Sequence, residues 1–413
     1  MKQLPRGLWV LLAANVVIAL GYGLIAPALP IFASDFGVGV TAATVVVSAF
    51  AMMRLLFAPP TGRLVSLLGE RRIYLTGLLI VALSTLACSF AQAYWQLLVF
   101  RAAGGIGSTM FSVSAMALLI RLAPPQIRGR ASGYYSAGFL IGNLAGPLLG
   151  AALVDVLGLR LPFAVYAVAL LIAAAVVAIA MPAVPPPAQT QPGAAAPLPA
   201  ATFAEAIRWP EYRAILAANF AQGWASMGVR VAVVPLFVEQ GLGRSGGWAG
   251  IVLACYAAGN IVAIMVSGRL SDRFGRRPVM IPGLTVAAAS TLVLGWSPNV
   301  ETVLVLTAVA GVGSGLFAPT HQAALGDLLA KRARGGSALA AYGMSSDMGT
   351  VAGPIAAGFV ADRWGYGPSF VLTGCVVVLA LILWLFARGD TTRAVTVTSN
   401  SATTSDDPTP RSR

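Results

Sequence analysis

Four charged side chains stand inside stretches that are otherwise apolar: Arg54, Arg101, Arg230 and Asp347. Left facing lipid, each would cost roughly 2.5–3.5 kcal/mol, so all four are expected to face an interior cleft or one another. Asp347 is the one acid among them. It lies 11 residues past Gly336 and 14 before Ala361, which at about 1.5 Å per helical residue puts it near the middle of a bilayer. A carboxyl group there can carry a proton, provided burial moves its titration from about 3.9 in water towards neutrality. It could also bind the cationic part of a substrate, or serve as a structural partner for Arg230 or a backbone group.

Uncharged polar residues surround these four. Asn219, Gln222, Ser226 and Arg230 follow one another at spacings of three, four and four, which is one face of an α-helix. Trp224 sits beside them, where it could stack on a flat or cationic ligand or simply pack. Asn15 and Tyr22 share a face of the first apolar stretch. His321 is the single histidine, and with no carboxylate near it in sequence it reads as a hydrogen-bonded packing residue. The sequence offers no metal-ligand cluster, no nucleophile with a base and no phosphate loop. Neither enzymatic catalysis nor a cofactor is therefore expected.

The elements that must position these residues follow from composition. Hydrophobic residues make up 58% and charged residues 10%, against about 25% charged in soluble domains. That implies an all-α integral membrane protein. The net charge of +13 does not point to nucleic acid, because no soluble face of useful size is present to carry a basic patch. Cys88, Cys255 and Cys375 fall in three different apolar stretches and are expected to be free thiols. Lys2 and Arg6 before an apolar core imitate a signal peptide, but the apolar run continues to Phe32 and reads as a spanning helix that stays attached.

Twelve spans are predicted, near 7–32, 41–61, 73–92, 95–120, 131–156, 161–181, 212–238, 247–267, 279–297, 302–328, 336–361 and 368–388. Of the 27 basic residues, only Arg160, Arg244 and Arg363 fall in loops on one side, so that side is outside and both termini are cytoplasmic. Trp95, Trp248, Trp296 and Trp364 then fall at the outer interface, where amphipathic indoles belong. Residues 1–181 form one six-helix unit and 212–388 a second. Between them, 182–211 is a Pro/Ala-rich cytoplasmic linker with a short surface helix at 202–211, and 389–413 is a disordered tail. The arginine bias, with Lys2 and Lys331 the only lysines, suggests a bacterial inner (plasma) membrane. A monomer in the lipid bilayer is expected.

The two halves are copies. Leu12-Ala13-Ala14-Asn15 matches Leu216-Ala217-Ala218-Asn219, and Gly62-Arg63-Leu64 matches Gly268-Arg269-Leu270, while Gly69 matches Gly275. Tyr135, Gly142, Gly146, Pro147, Asp155 and Gly158 match Tyr342, Gly349, Gly353, Pro354, Asp362 and Gly365 at an offset of 207. Gly142, Gly146 and Gly150 form a stripe nearly free of side chains, against which another helix can pack closely. Pro147 removes a backbone donor and loosens the helix there. A parallel duplication of six helices is a recognised transporter architecture, able to rock about a central cleft.

With these motifs the chain resembles a major facilitator superfamily transporter, in particular the 12-helix drug:proton antiporter group. Leu20-Gly21 followed by Pro27 and Pro30 is similar to that group's helix-1 signature. GRLSDRFGRR at 268–277 resembles the superfamily loop motif, and GRLVSLLGERR at 62–72 is its degraded first copy. Arg101, Gly105 and Gly107 resemble the helix-4 motif, with Gly104 where glutamine is common. The 133–150 stretch has the spacing of the helix-5 antiporter motif, with Ala151 in place of a final glycine.

The resemblance implies two pseudo-symmetric six-helix bundles with helices 1, 4, 7 and 10 around the cleft. It therefore implies that Asn15, Tyr22, Asn219, Gln222, Trp224 and Arg230 line that cleft and bind substrate. It associates Arg101 with proton coupling, alongside Asp347. It implies gating by Gly62, Gly69, Arg71, Gly268, Asp272, Arg273, Gly275 and Arg276, together with Gly142, Gly146, Pro147, Gly353 and Pro354. Asp272 would latch the cytoplasmic side by opposing a helix N-terminus of the other half; Ser66 stands at the equivalent place in the first copy. The function implied is proton-coupled efflux of small amphipathic or drug-like compounds, the partners being a small-molecule substrate and protons. The alternative is a superfamily exporter or facilitator of a sugar or other metabolite without proton antiport, since helices 1 and 4 hold none of the acids many proton-coupled members carry.

Overall fold

The structure, a computed structural model, describes residues 5–124, 127–181, 203–332 and 336–387. The Pro/Ala-rich part of the linker and the tail fall outside the described residues. The first half comprises α1 (Arg6–Ile25) with its continuation α2 (Ala28–Ser34), α3 (Val40–Leu68), α4 (Glu70–Ser89), α5 (Tyr94–Leu122), α6 (Arg128–Leu157) and α7 (Leu161–Ala180). A short α8 (Phe203–Ala206) leads into α9 (Pro210–Gln222) and α10 (Arg230–Leu236). The second half continues with α11 (Gly246–Phe274), α12 (Arg276–Leu294), α13 (Val300–Arg332), α14 (Gly336–Trp364) and α15 (Tyr366–Phe386). Each predicted span coincides with a helix. Among the described residues, eleven are long and apolar enough to cross a membrane. The remaining one, α14, has 29 residues but is diluted by Ser345, Ser346, Asp347 and Thr350.

Three local features depart from the sequence reading. First, α3 and α11 run on to Leu68 and Phe274, so the two GRL motifs are helix ends and not loops. Hydropathy marks where the membrane stops, which is not where the helix stops. Each helix ends at a single glycine, Gly69 at φ 84° and Gly275 at φ 90°, a backbone region that side chains with a Cβ disfavour. Second, the predicted surface helix at 202–211 shrinks to Phe203–Ala206, with Trp209 at the start of α9. Third, the seventh span is not a continuous α-helix: π-helical turns occupy Gly223–Val229 and Phe237–Gly241, and such turns recur at functional sites.

Glycine stripes bring helix pairs together within each half. A Cβ on Gly142, Gly146 or Gly150 would collide with the α1 backbone between Ala19 and Leu24, and one on Gly349 or Gly353 would collide with the seventh span between Phe220 and Trp224. Side-chain amides pin the same pairs: Asn15 donates to the Tyr135 carbonyl at 2.8 Å, and its counterpart Asn219 donates to the Tyr342 carbonyl at 2.5 Å. Burial of these amides is tolerated because they are satisfied.

The halves meet where α3 packs on α14 and α6 on α11. At the end where α3 and α11 begin, Asp362 accepts from the Val40 and Thr41 amides, each at 2.7 Å, and from the Thr41 hydroxyl. The equivalent Asp155 accepts from the Gly247 amide at 3.1 Å. Each carboxylate thus meets the positive N-terminus of a helix in the other half. At the opposite end a Cβ on Gly62, Gly133, Gly268 or Gly343 would meet no atom within 4 Å.

Candidate functional site

Two adjoining cavities lie between the halves and share Tyr22, Ala26, Phe139, Met227 and Val231 in their walls. The smaller, about 240 Å³, is lined by Arg54, Arg101 and Asp347. The larger, about 550 Å³, is lined by Arg230 with Gln222, Ser226, Tyr256 and Asn260. All four intramembrane charges thus face these two spaces.

Arg101 comes from α5 and is 6% exposed. Its guanidinium lies 3.9 Å from the centroid of the Phe50 ring, and its Nε has no hydrogen-bond partner in the protein. A cation held over an aromatic face gains about 0.5–2 kcal/mol there, which offsets part of its desolvation. Arg54 on α3 and Asp347 on α14 come from opposite halves and line the same cavity. The expected alternative, Asp347 paired with Arg230, does not occur: Arg230 lies 4.0 Å from the centroid of the Tyr256 ring on α11.

The polar face predicted on the seventh span divides in two. Gln222 accepts from Ser314 at 3.0 Å, and Ser226 accepts from Tyr256 at 2.6 Å, so these residues and Arg230 turn towards α11, α13 and the larger cavity. Asn219 turns towards α14. Gln222, three residues on, already lies about 60° round the helix from it, and the π turn beginning at Gly223 shifts Ser226 and Arg230 further relative to an α-helical wheel. Trp224 packs 5.8 Å from Phe220, ring to ring, and against Gly353 of α14. Of the expected substrate-binding residues, then, Tyr22, Gln222 and Arg230 line the cavities. Asn15, Asn219 and Trp224 occupy helix contacts. His321 is buried and bonds through Nδ1 to the Tyr342 hydroxyl at 2.9 Å, a packing role.

The expected gating residues fall into groups. Arg71 donates to the Ala178 carbonyl at the end of α7 at 2.6 Å, and Arg277 to the Leu385 carbonyl at the end of α15 at 2.7 Å. Each puts a cation on the negative end of a helix. In this conformation Asp272 is bonded at 2.6 Å to Arg276 of its own half. Arg273 lies over Phe274. A contact of the kind expected of Asp272 is made at the other end of the bundle by Asp155 and Asp362. Both acids were visible as matches between the repeats, and that was their one sequence signal. Pro147 lines the larger cavity and touches Gly23, and its counterpart Pro354 touches Gly228.

The family model described as Major Facilitator Superfamily matches residues 11–239 and again 215–406. The chain belongs to this superfamily of transporters. It is 23% identical to Multidrug resistance protein 2 of Bacillus subtilis, over 93% of this chain and 97% of that protein. It is 37% identical to Multidrug resistance protein 3 of the same organism over 97 residues, which is 24% of this chain and 19% of that protein. Among solved structures, a bacterial homologue of the human lysosomal transporter Spinster, inward-facing and unoccupied, superposes with a TM-score of 0.78 at 17% identity, covering 92% and 96% of the two chains. The all-helical, two-half architecture is thereby that of the family, and the chain is a multi-pass membrane transporter and not an enzyme.

Proposed function

We propose that this transporter exports small amphipathic compounds in exchange for protons, by alternating access to the paired cavities. The observation that carries the reading is that all four intramembrane charges, from four different spans of both halves, border one interhalf space. Asp347 is the proton carrier, with Arg101 and Arg54 the cations that line the same cavity and favour its ionised form, while Tyr22, Gln222 and Arg230 meet substrate. The name of the full-length relative Multidrug resistance protein 2 supports export. Basic-residue asymmetry supports cytoplasmic termini in an inner membrane, α14 completing twelve spans, and the chain working as a monomer. On that topology the closed end is the outer one, and the conformation is inward-facing.

The test is transport by purified protein in proteoliposomes with an imposed pH gradient, using dyes and neutral antibiotics as probes. Uptake against a concentration gradient that collapses with a protonophore supports antiport. Flux indifferent to the pH gradient overturns it in favour of a facilitator or uncoupled exporter.

A further inference from the structure

Arg230 is only 4% exposed, yet its Nε and Nη1 have no hydrogen-bond partner in the protein. A guanidinium in such a place ordinarily has its donors matched, most strongly by a carboxylate or phosphate that takes two of them at once. Tyr256 lies beneath it and fixes its plane. The larger cavity that Arg230 borders contains no aspartate or glutamate in its walls. The adjoining one sets two arginines, Arg54 and Arg101, against a single acid, Asp347. Three cations to one anion lining the space between the halves repel a cationic ligand and attract an anionic one. Beside polar groups that include Gln222, Asn260 and Gln322, the same cavity presents an apolar patch from Phe139, Met227, Leu253 and Ile261.

We infer that Arg230 is the specificity determinant of the larger cavity, receiving the carboxylate or similar acidic head of an amphipathic organic anion whose apolar body lies against that patch. This inference rests on the reading that the paired cavities are the transport route. It narrows the expected substrate from small amphipathic compounds in general to anionic ones.

The experiment uses full-length protein in lipid nanodiscs and two xanthene dyes of similar shape, an anionic fluorescein and a cationic rhodamine ester, with binding read by fluorescence anisotropy. The expected result is at least about tenfold tighter binding of the anion, a preference lost in Arg230→Gln and partly retained in Arg230→Lys. A tenfold change corresponds to about 1.4 kcal/mol. Wild-type protein that binds the cation as tightly as the anion, or binds neither, overturns the inference without reference to any variant. So does Arg230→Gln protein, folded by its melting profile, that keeps the anion preference. Binding requires no gradient, so anion selectivity with gradient-independent flux would refute antiport alone. Gradient-driven export of the cation without anion binding would refute this inference alone.

Discussion

Glu70 at the start of α4 accepts a hydrogen bond from Arg121 at the end of α5 at 2.5 Å, and 206 residues later the same two positions hold Arg276 and Asp327, paired at 2.9 Å with their charges exchanged. The duplicated halves preserve the pair and not its polarity. What the position requires is therefore a bond between neighbouring helices at the end away from Asp155 and Asp362.

That interchange predicts the behaviour of Glu70→Arg. Alone it places two cations together at a site where the paired side chains are 13% and 22% exposed, and should cost about 1–3 kcal/mol. Combined with Arg121→Asp, which copies the second half's polarity, most of the loss should return. Melting temperatures of the two single variants and the double variant form the required cycle, and purely additive losses would show that the pair does not interact.

The contacts of Asp155 and Asp362 make a second prediction. Both carboxylates are exposed at the surface, so each contributes only some tenths of a kcal/mol up to about 1 kcal/mol. Asp155→Asn with Asp362→Asn should nonetheless shift the balance of conformers several-fold, since both contacts must break for this end to open. Labelling of cysteines introduced into the cavities, by an impermeant reagent added from the outer side, should rise. Unchanged labelling would mean that helix packing alone holds this end closed.

The glycines separate into two classes with opposite expectations. At Gly146 a Cβ would fall 2.5 Å from the Leu20 carbonyl oxygen, whereas at Gly268 it would meet nothing within 4 Å. Gly146→Ala should therefore overpack the α1–α6 contact at a cost of about 1–3 kcal/mol. Gly268→Ala should leave the stability of this conformation unchanged. A Gly268→Ala variant that loses transport while keeping its melting temperature would locate that glycine's close contact in the other conformer.

Much of this architecture was legible because it repeats. Asn15 and Asn219 announced themselves by their position in matching tetrapeptides, and each bonds to a tyrosine carbonyl that also matched. The order of helices followed from hydropathy, as did most of their bounds, but not the ends of α3 and α11. The site was less legible. Asn219 and Arg230 share an α-helical face on paper, and the π turn at 223–229 has no signature in residue type that separates them. Asp155 and Asp362 were legible only as a matched pair, since their partners lie 92 and 321 to 322 residues away. Only the fold brings such pairs together.

Asn15 and Asn219 supply a test of that distinction. If they pin α1 to α6 and the seventh span to α14, Asn15→Ala and Asn219→Ala should each cost about 1–3 kcal/mol by leaving a buried carbonyl with less satisfaction, and should leave the order of preference among substrates as it was. Gln222→Ala, at the larger cavity, should do the reverse. A changed substrate order in the two asparagine variants would return those residues to the binding site.

Asp347 carries the sharpest prediction, because the roles open to it differ in what Asp347→Asn abolishes. Asparagine keeps the shape and hydrogen-bonding capacity of the side chain but cannot release a proton. As proton carrier, Asp347 is needed when transport is driven uphill by a pH gradient and not when substrate exchanges for substrate across the membrane. Asp347→Asn should therefore lose gradient-driven accumulation by at least about tenfold while retaining counterflow. If the residue instead served to neutralise Arg54 across the halves, asparagine would weaken both modes together, and charge reversal at Arg54 would restore neither. Loss of counterflow in proportion to loss of accumulation would thus remove Asp347 from the proton path.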